Sequence, residues 1–175
     1  MKRKTFFKKI PSEEITPLEI YMRFLDDKNS YFFESVEGGE KWAKYSIIGL
    51  PTDKKIKLSD SPLDEIDDFM KSQKVERIEG LPDFTGGLVG YFSYDTIRHI
   101  EKKLSNSKKP QLNYAEISLM ISDELIVYDN YEKNLFIIVN DFEKNEKLAN
   151  SRIDEILQQI NTPLEDQENS KKNKI

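Results

Sequence analysis

The 175-residue chain is 37% hydrophobic and 11% aromatic, long enough to bury one core and short enough that a single domain is expected. Charged residues make up 34% of it, interspersed in sign and summing to −5 with an isoelectric point near 5.1, which argues against a nucleic-acid partner, whose footprint is basic. Cysteine is absent, so disulfides, cysteine–zinc sites and thiol nucleophiles are excluded. No apolar run approaches the roughly 20 residues of a membrane helix, and no apolar stretch follows the basic start Met1-Lys2-Arg3-Lys4 as in a signal peptide. A soluble cytoplasmic protein with no membrane partner is the expectation.

Thr16-Pro17-Leu18-Glu19 combines a capping Thr, a Pro at the first helical position and a Glu that closes a capping box. A helix is predicted to start there, with Ile20, Tyr21, Phe24 and Leu25 on one apolar face and Asp26-Asp27-Lys28-Asn29 ending it. Tyr31 to Ser35 and Lys44 to Gly49 read as strands pairing across a Gly38-Gly39 turn. Lys54 to Leu58 reads as a further strand, and Ser61-Pro62-Leu63-Asp64 repeats the cap-and-proline device before a second amphipathic helix carrying Ile66, Phe69 and Met70.

Gly86 to Tyr94 is glycine-rich and aromatic, as in a strand closely approached by another backbone, and Asp95 is placed to cap a short helix through Ile97 and Ile100. Lys102 to Lys109 reads as a polar loop. Alternation over Glu116 to Met120 and Leu125 to Tyr128 predicts two strands, the second forming a hairpin with Leu135 to Val139 across the Asp129–Asn134 turn. Leu148, Ile153, Ile156, Leu157 and Ile160 give a closing helix, and residues 161–175 are polar and aperiodic. The fold class is therefore α+β, a largely antiparallel sheet or sandwich flanked by helices.

Two segments go beyond generic fold signals. One is Phe33-Glu34-Ser35-Val36-Glu37-Gly38-Gly39-Glu40-Lys41-Trp42-Ala43-Lys44-Tyr45-Ser46-Ile47-Ile48-Gly49, and the other is Phe84-Thr85-Gly86-Gly87-Leu88-Val89-Gly90-Tyr91-Phe92-Ser93-Tyr94-Asp95. Together they resemble the amino-terminal domain of anthranilate synthase component I, with its Glu-Ser strand end, its Arg/Lys-Tyr-Ser strand and its Gly-Gly-x-x-Gly-Tyr-x-x-Tyr-Asp block. Looser similarity runs from Thr16 to Val139.

The resemblance implies a parent enzyme that converts chorismate plus ammonia or glutamine into anthranilate and pyruvate in tryptophan biosynthesis. It also implies magnesium and the chorismate-binding carboxylates in a carboxy-terminal catalytic domain, with a glutamine amidotransferase subunit as partner. On that basis residues 1–160 are expected to be the regulatory domain and residues 161–175 a polar linker towards the catalytic one. This chain is then expected to hold neither a catalytic residue nor a cofactor of its own.

The family's L-tryptophan feedback site maps onto Glu34, Ser35, Lys44, Tyr45 and Ser46. Phe32-Phe33 stands where Leu-Leu is commoner and Lys44 where Arg is usual, and neither change removes a needed functional group. The residue types suit a free amino acid, whose ammonium needs an acceptor such as Glu34 and whose carboxylate needs donors. Lys44 is able either to pair with Glu34 or to meet the ligand carboxylate.

Other readings stay open on the sequence. The related aminodeoxychorismate synthase large subunit shares this domain, and a free-standing amino-acid sensor or docking module needs no catalytic half. Glu34 by itself reads as an ordinary solvated strand-end carboxylate, and Trp42 as packing beside a glycine loop. Gly86, Gly87 and Gly90 match neither the dinucleotide fingerprint nor the P-loop. His99, the single histidine, is expected to be solvated, as are Glu13-Glu14 and the Asp pairs at 26–27 and 67–68.

Overall fold

The computed structural model describes residues 3–26, 28–34, 44–58, 61–73, 77–101, 103–104, 114–141 and 145–163. Seven strands, β1 (Lys4–Pro11), β2 (Asn29–Phe33), β3 (Tyr45–Thr52), β4 (Gly87–Phe92), β5 (Ile117–Ser122), β6 (Glu124–Asp129) and β7 (Asn134–Asp141), are joined by α1 (Pro17–Phe24), α2 (Pro62–Ser72), α3 (Ile97–Ile100) and α4 (Glu146–Asn161). Five of the strands form one antiparallel sheet in the order β1-β7-β6-β3-β2, and β4 and β5 form a separate two-stranded ribbon. This is the α+β, antiparallel architecture that the alternating pattern implies.

Helices α1 and α4 cover one face of the large sheet. Ile20 and Phe24 from α1 and Ile153, Ile156 and Ile160 from α4 pack on Phe6, Ile48, Ile126 and Ile137, and each fully buried Ile contributes roughly 2 kcal/mol. The start of α1 is fixed by the expected capping box: Thr16 Oγ1 accepts from the Glu19 N–H at 3.2 Å, and the Glu19 carboxylate accepts from the Thr16 N–H at 2.8 Å. Asn145 caps α4 through the Leu148 N–H. The opposite sheet face carries Leu125, Val127, Phe136 and Ile138 under Leu81 and Phe84, and the ribbon leans on it through Val89 and Met120, which pack on Tyr31 of β2.

The glycines of the ribbon have packing reasons. A Cβ on Gly86 would sit 2.3 Å from Arg3 Nη2 and 2.6 Å from the Ser122 carbonyl, and one on Gly90 would sit 1.9 Å from the Ser118 carbonyl. Each lets another part of the chain come close enough to touch backbone.

The structure departs from the sequence reading at several places. The basic start contains β1, whose lysines are exposed while Phe6 is buried. Lys54–Leu58 contributes one isolated bridge, Lys55↔Met120, in place of a strand. Ser61 precedes α2 without a side-chain cap bond. Asp95 lies within a 3₁₀ turn (Tyr94–Thr96) rather than capping it, because its carboxylate is taken by Arg98 Nε at 2.9 Å and the Tyr114 hydroxyl at 2.8 Å. His99 is exposed as expected, and its Nε2 meets Glu116 Oε2 at 2.9 Å.

Candidate functional site

Strands β2 and β3 pair antiparallel up to Phe33↔Ile47, so Glu34 and Ser46 continue from the two sides of the last pair at one end of the sheet. Beyond β3 lies β6, in the register Tyr45↔Asp129 and Ser46↔Tyr128. Glu34 is exposed. Ser35, Trp42 and the Gly38-Gly39 turn lie outside the described residues.

Successive strand residues point to opposite faces, and Tyr45 and Ser46 part accordingly. Tyr45 packs on the Leu125, Val127 and Phe136 side. Ser46 shares the parity of Ile48 and is fully buried, its Oγ accepting from Asn130 Nδ2 at 3.2 Å. Lys44 turns towards Tyr45, its Nζ 5.1 Å from the ring centroid, and reaches Asp129 Oδ2 at 3.6 Å. Hydrogen bonding to Tyr45, with the Asp129 carboxylate adding to it, raises the Lys44 ammonium above its usual value. The structure thus brings Glu34 and Ser46 to one strand end, joins Lys44 to Tyr45, and separates the Tyr45 and Ser46 side chains.

Two residues that the sequence reading left as generic turn formers complete this end of the sheet. Asp129 is 1% exposed; its Oδ1 accepts from the Tyr131 and Glu132 N–H groups at 3.0 Å each, and its Oδ2 faces Lys44. The Asn130 N–H donates to the Lys44 carbonyl at 2.8 Å, while its side chain holds Ser46. Lys44 pairs with Asp129, neither of the partners expected from sequence. An Asp-Asn dipeptide between two apolar runs signals a turn, but nothing local signals a contact across more than 80 positions.

Among the described residues no group of three or more His, Asp or Glu side chains gathers where a metal could bind. One cleft is lined by Ser12, Glu13, Glu19 and Arg23 and another by Leu50, Lys54 and Asp123. Neither includes the Glu34–Ser46 end.

The family model described as chorismate binding enzyme matches residues 28–175. The chain belongs to this family. Anthranilate synthase component 1 of Pseudomonas aeruginosa is 37% identical over 85% of this chain and 35% of its own length. The protein of the same name from Pseudomonas putida is 41% identical over 71% of this chain and 29% of its own. The chain therefore spans about a third of the curated relatives it matches. Anthranilate synthase component I from Streptococcus pneumoniae TIGR4 superposes with a TM-score of 0.60 at 19% identity, covering 90% of this chain and 38% of that one, which shows the shared fold. Within the chorismate binding enzyme family this chain accordingly corresponds to an anthranilate synthase component I amino-terminal region.

Proposed function

We propose that this chain is the regulatory portion of an anthranilate synthase. The full enzyme converts chorismate and ammonia or glutamine to anthranilate and pyruvate in the cytoplasm, with magnesium in its catalytic domain and a glutamine amidotransferase subunit as partner. In this reading the free end of the β2–β3 pair takes L-tryptophan as feedback inhibitor. Glu34 accepts from the ligand ammonium, Ser35 and the Lys44 ammonium donate to its carboxylate, and Tyr45 and Ser46 set the strand from which Lys44 departs. The observation that carries the reading is the placement of Glu34 and Lys44–Ser46 at one sheet end, in a chain 37% identical to an anthranilate synthase component 1.

A charged residue and a strand-end hydroxyl suit a zwitterion better than a neutral metabolite, because charge-assisted hydrogen bonds are the stronger kind. The test is tryptophan inhibition of the full-length enzyme carrying Glu34→Ala, Ser35→Phe or Lys44→Met. Uninhibited activity should persist while the inhibitory concentration rises about tenfold or more in each, the effect of losing one charge-assisted bond. Unchanged inhibition in both Glu34→Ala and Ser35→Phe removes the site assignment.

A further inference from the structure

The Asp129-Asn130 pair at the end of β6 grips Lys44 by its backbone and leaves its head group loosely tied. Asn130 fixes the strand on both sides of Tyr45: its N–H donates to the Lys44 carbonyl at 2.8 Å, and its Nδ2 donates to the fully buried Ser46 Oγ at 3.2 Å. The point from which the Lys44 side chain departs is therefore set. The ammonium itself is divided between two neighbours, 5.1 Å from the centroid of the Tyr45 ring and 3.6 Å from Asp129 Oδ2. Other lysines of this fold close further on their carboxylates, Lys54 to 2.9 Å on Asp123 and Lys8 to 3.0 Å on Asp154.

Asp129 stays in place whatever Lys44 does. It is 1% exposed, and the Tyr131 and Glu132 N–H groups donate to its Oδ1 at 3.0 Å each. A buried carboxylate is costly unless a cation stands near it, so Asp129 retains the Lys44 ammonium in the absence of another anion. Glu132 adds to the negative charge felt by Lys44, but it is itself paired with Lys9 at 3.2 Å and its side chain is 56% exposed.

On the reading of this strand end as an amino-acid site, we propose that Asp129 is a built-in competitor for the ligand carboxylate, a fixed internal anion that occupies Lys44 until an amino acid arrives. The attraction of Lys44 for the ligand is then offset by its lost contact with Asp129 and by repulsion between the two carboxylates. Affinity is held below the level that Lys44 would give if it had no partner of its own. The ligand must carry a free carboxylate, because only an anion draws the ammonium away, and this favours an amino acid over its amide or its amine.

The experiment measures inhibition of the full-length enzyme by L-tryptophan. Asp129→Asn keeps an acceptor for the turn N–H groups and removes the charge. The inhibitory concentration should fall at least about threefold, towards the upper end of what a half-exposed ion pair commands. Asp129→Ser, whose hydroxyl serves the same turn more weakly, should shift it the same way, so the outcome does not hang on one variant folding. In a Lys44→Met background Asp129→Asn should have no effect, which a merely structural role for Asp129 would not give. Glu132→Gln should change the concentration by less than about twofold. An inhibitory concentration unchanged or raised in Asp129→Asn and Asp129→Ser, while Glu34→Ala still weakens inhibition, overturns the competitor and leaves the site standing. An equal fall in Glu132→Gln, or a fall that persists without Lys44, does the same. Unchanged inhibition in both Glu34→Ala and Ser35→Phe removes site and competitor together.

Discussion

Asp123→Ala is predicted to destabilise this fold strongly. Arg3 and Asp123 are an ion pair with side chains 3% and 6% exposed, their Nη2 and Oδ1 atoms 3.5 Å apart. Arg3 Nη2 also donates to the Ser122 carbonyl at 3.0 Å, beneath Gly86. Burial lowers the Arg3 pKa, with Asp123 acting against that shift, so the guanidinium depends on its carboxylate. Lys54 reaches Asp123 Oδ2 at 2.9 Å but is 63% exposed and adds little. Removing Asp123 leaves a buried cation without a counterion, a loss of about 3 to 5 kcal/mol, whereas replacing both charges in Arg3→Met/Asp123→Leu should cost under about 1.5 kcal/mol because well-packed apolar substitutes avoid the desolvation penalty. Urea denaturation of the two singles and the double, with unchanged m-values, measures the coupling. A cost below about 1 kcal/mol for Asp123→Ala, or a double variant weaker than either single, refutes the reasoning.

Other outcomes follow from the same packing. Gly90→Ala should destabilise by about 2 kcal/mol or more, since its Cβ meets the Ser118 carbonyl at 1.9 Å and backbone cannot step aside; thermal denaturation measures it. Tyr31, whose hydroxyl lies 2.8 Å from Ser122 Oγ, has its pKa pushed up by burial to about 12 from 10.0. The unfolded chain therefore ionises first, and stability should fall as pH rises from 10.0 towards about 12, a slope that Tyr31→Phe flattens in denaturant titrations. The Tyr114 hydroxyl and then Arg98 hold the Asp95 carboxyl below its ordinary 3.8. That contribution is present above 3.8 and lost as pH falls further, so Asp95→Asn should show a shallower loss of stability on acidification.

Where local chemistry decides structure, the sequence was readable. The Thr16–Glu19 capping box, the β2–β3 and β6–β7 pairings and α4 rest on caps, alternation and helical spacing, and all appear. What escaped depends on distant partners. β1 is a strand because β7 offers it an edge from Lys4↔Asp141 to Pro11↔Asn134; its own Lys-Thr-Phe-Phe-Lys-Lys reads as a basic start. Lys54–Leu58 has strand-like spacing but gains a single bridge. Asp95 looked like a cap, yet Arg98 and Tyr114 hold its carboxylate. In the candidate site the motif located Glu34 and Lys44–Ser46, while the contribution of Asp129 and Asn130 became visible only once β3 lay against β6.

That contribution bears on how a ligand would be read. A ligand carboxylate at the proposed site competes with Asp129 for the Lys44 ammonium. Asp129 Oδ2 stands 3.6 Å from Nζ, outside the 2.7–2.9 Å of a good charge-assisted bond, so a ligand oxygen free to approach closer has the better geometry. Asp129 tolerates the loss, because its Oδ1 keeps the Tyr131 and Glu132 N–H groups. Lys44, with its side chain 42% exposed, can swing without opening the core. Ser46 cannot, being fully buried and tied to Asn130. The cation is thus the adjustable element and the hydroxyl-bearing strand the fixed reference, and a ligand that draws Lys44 away alters the charge balance at the β6–β7 turn before it disturbs any packed side chain.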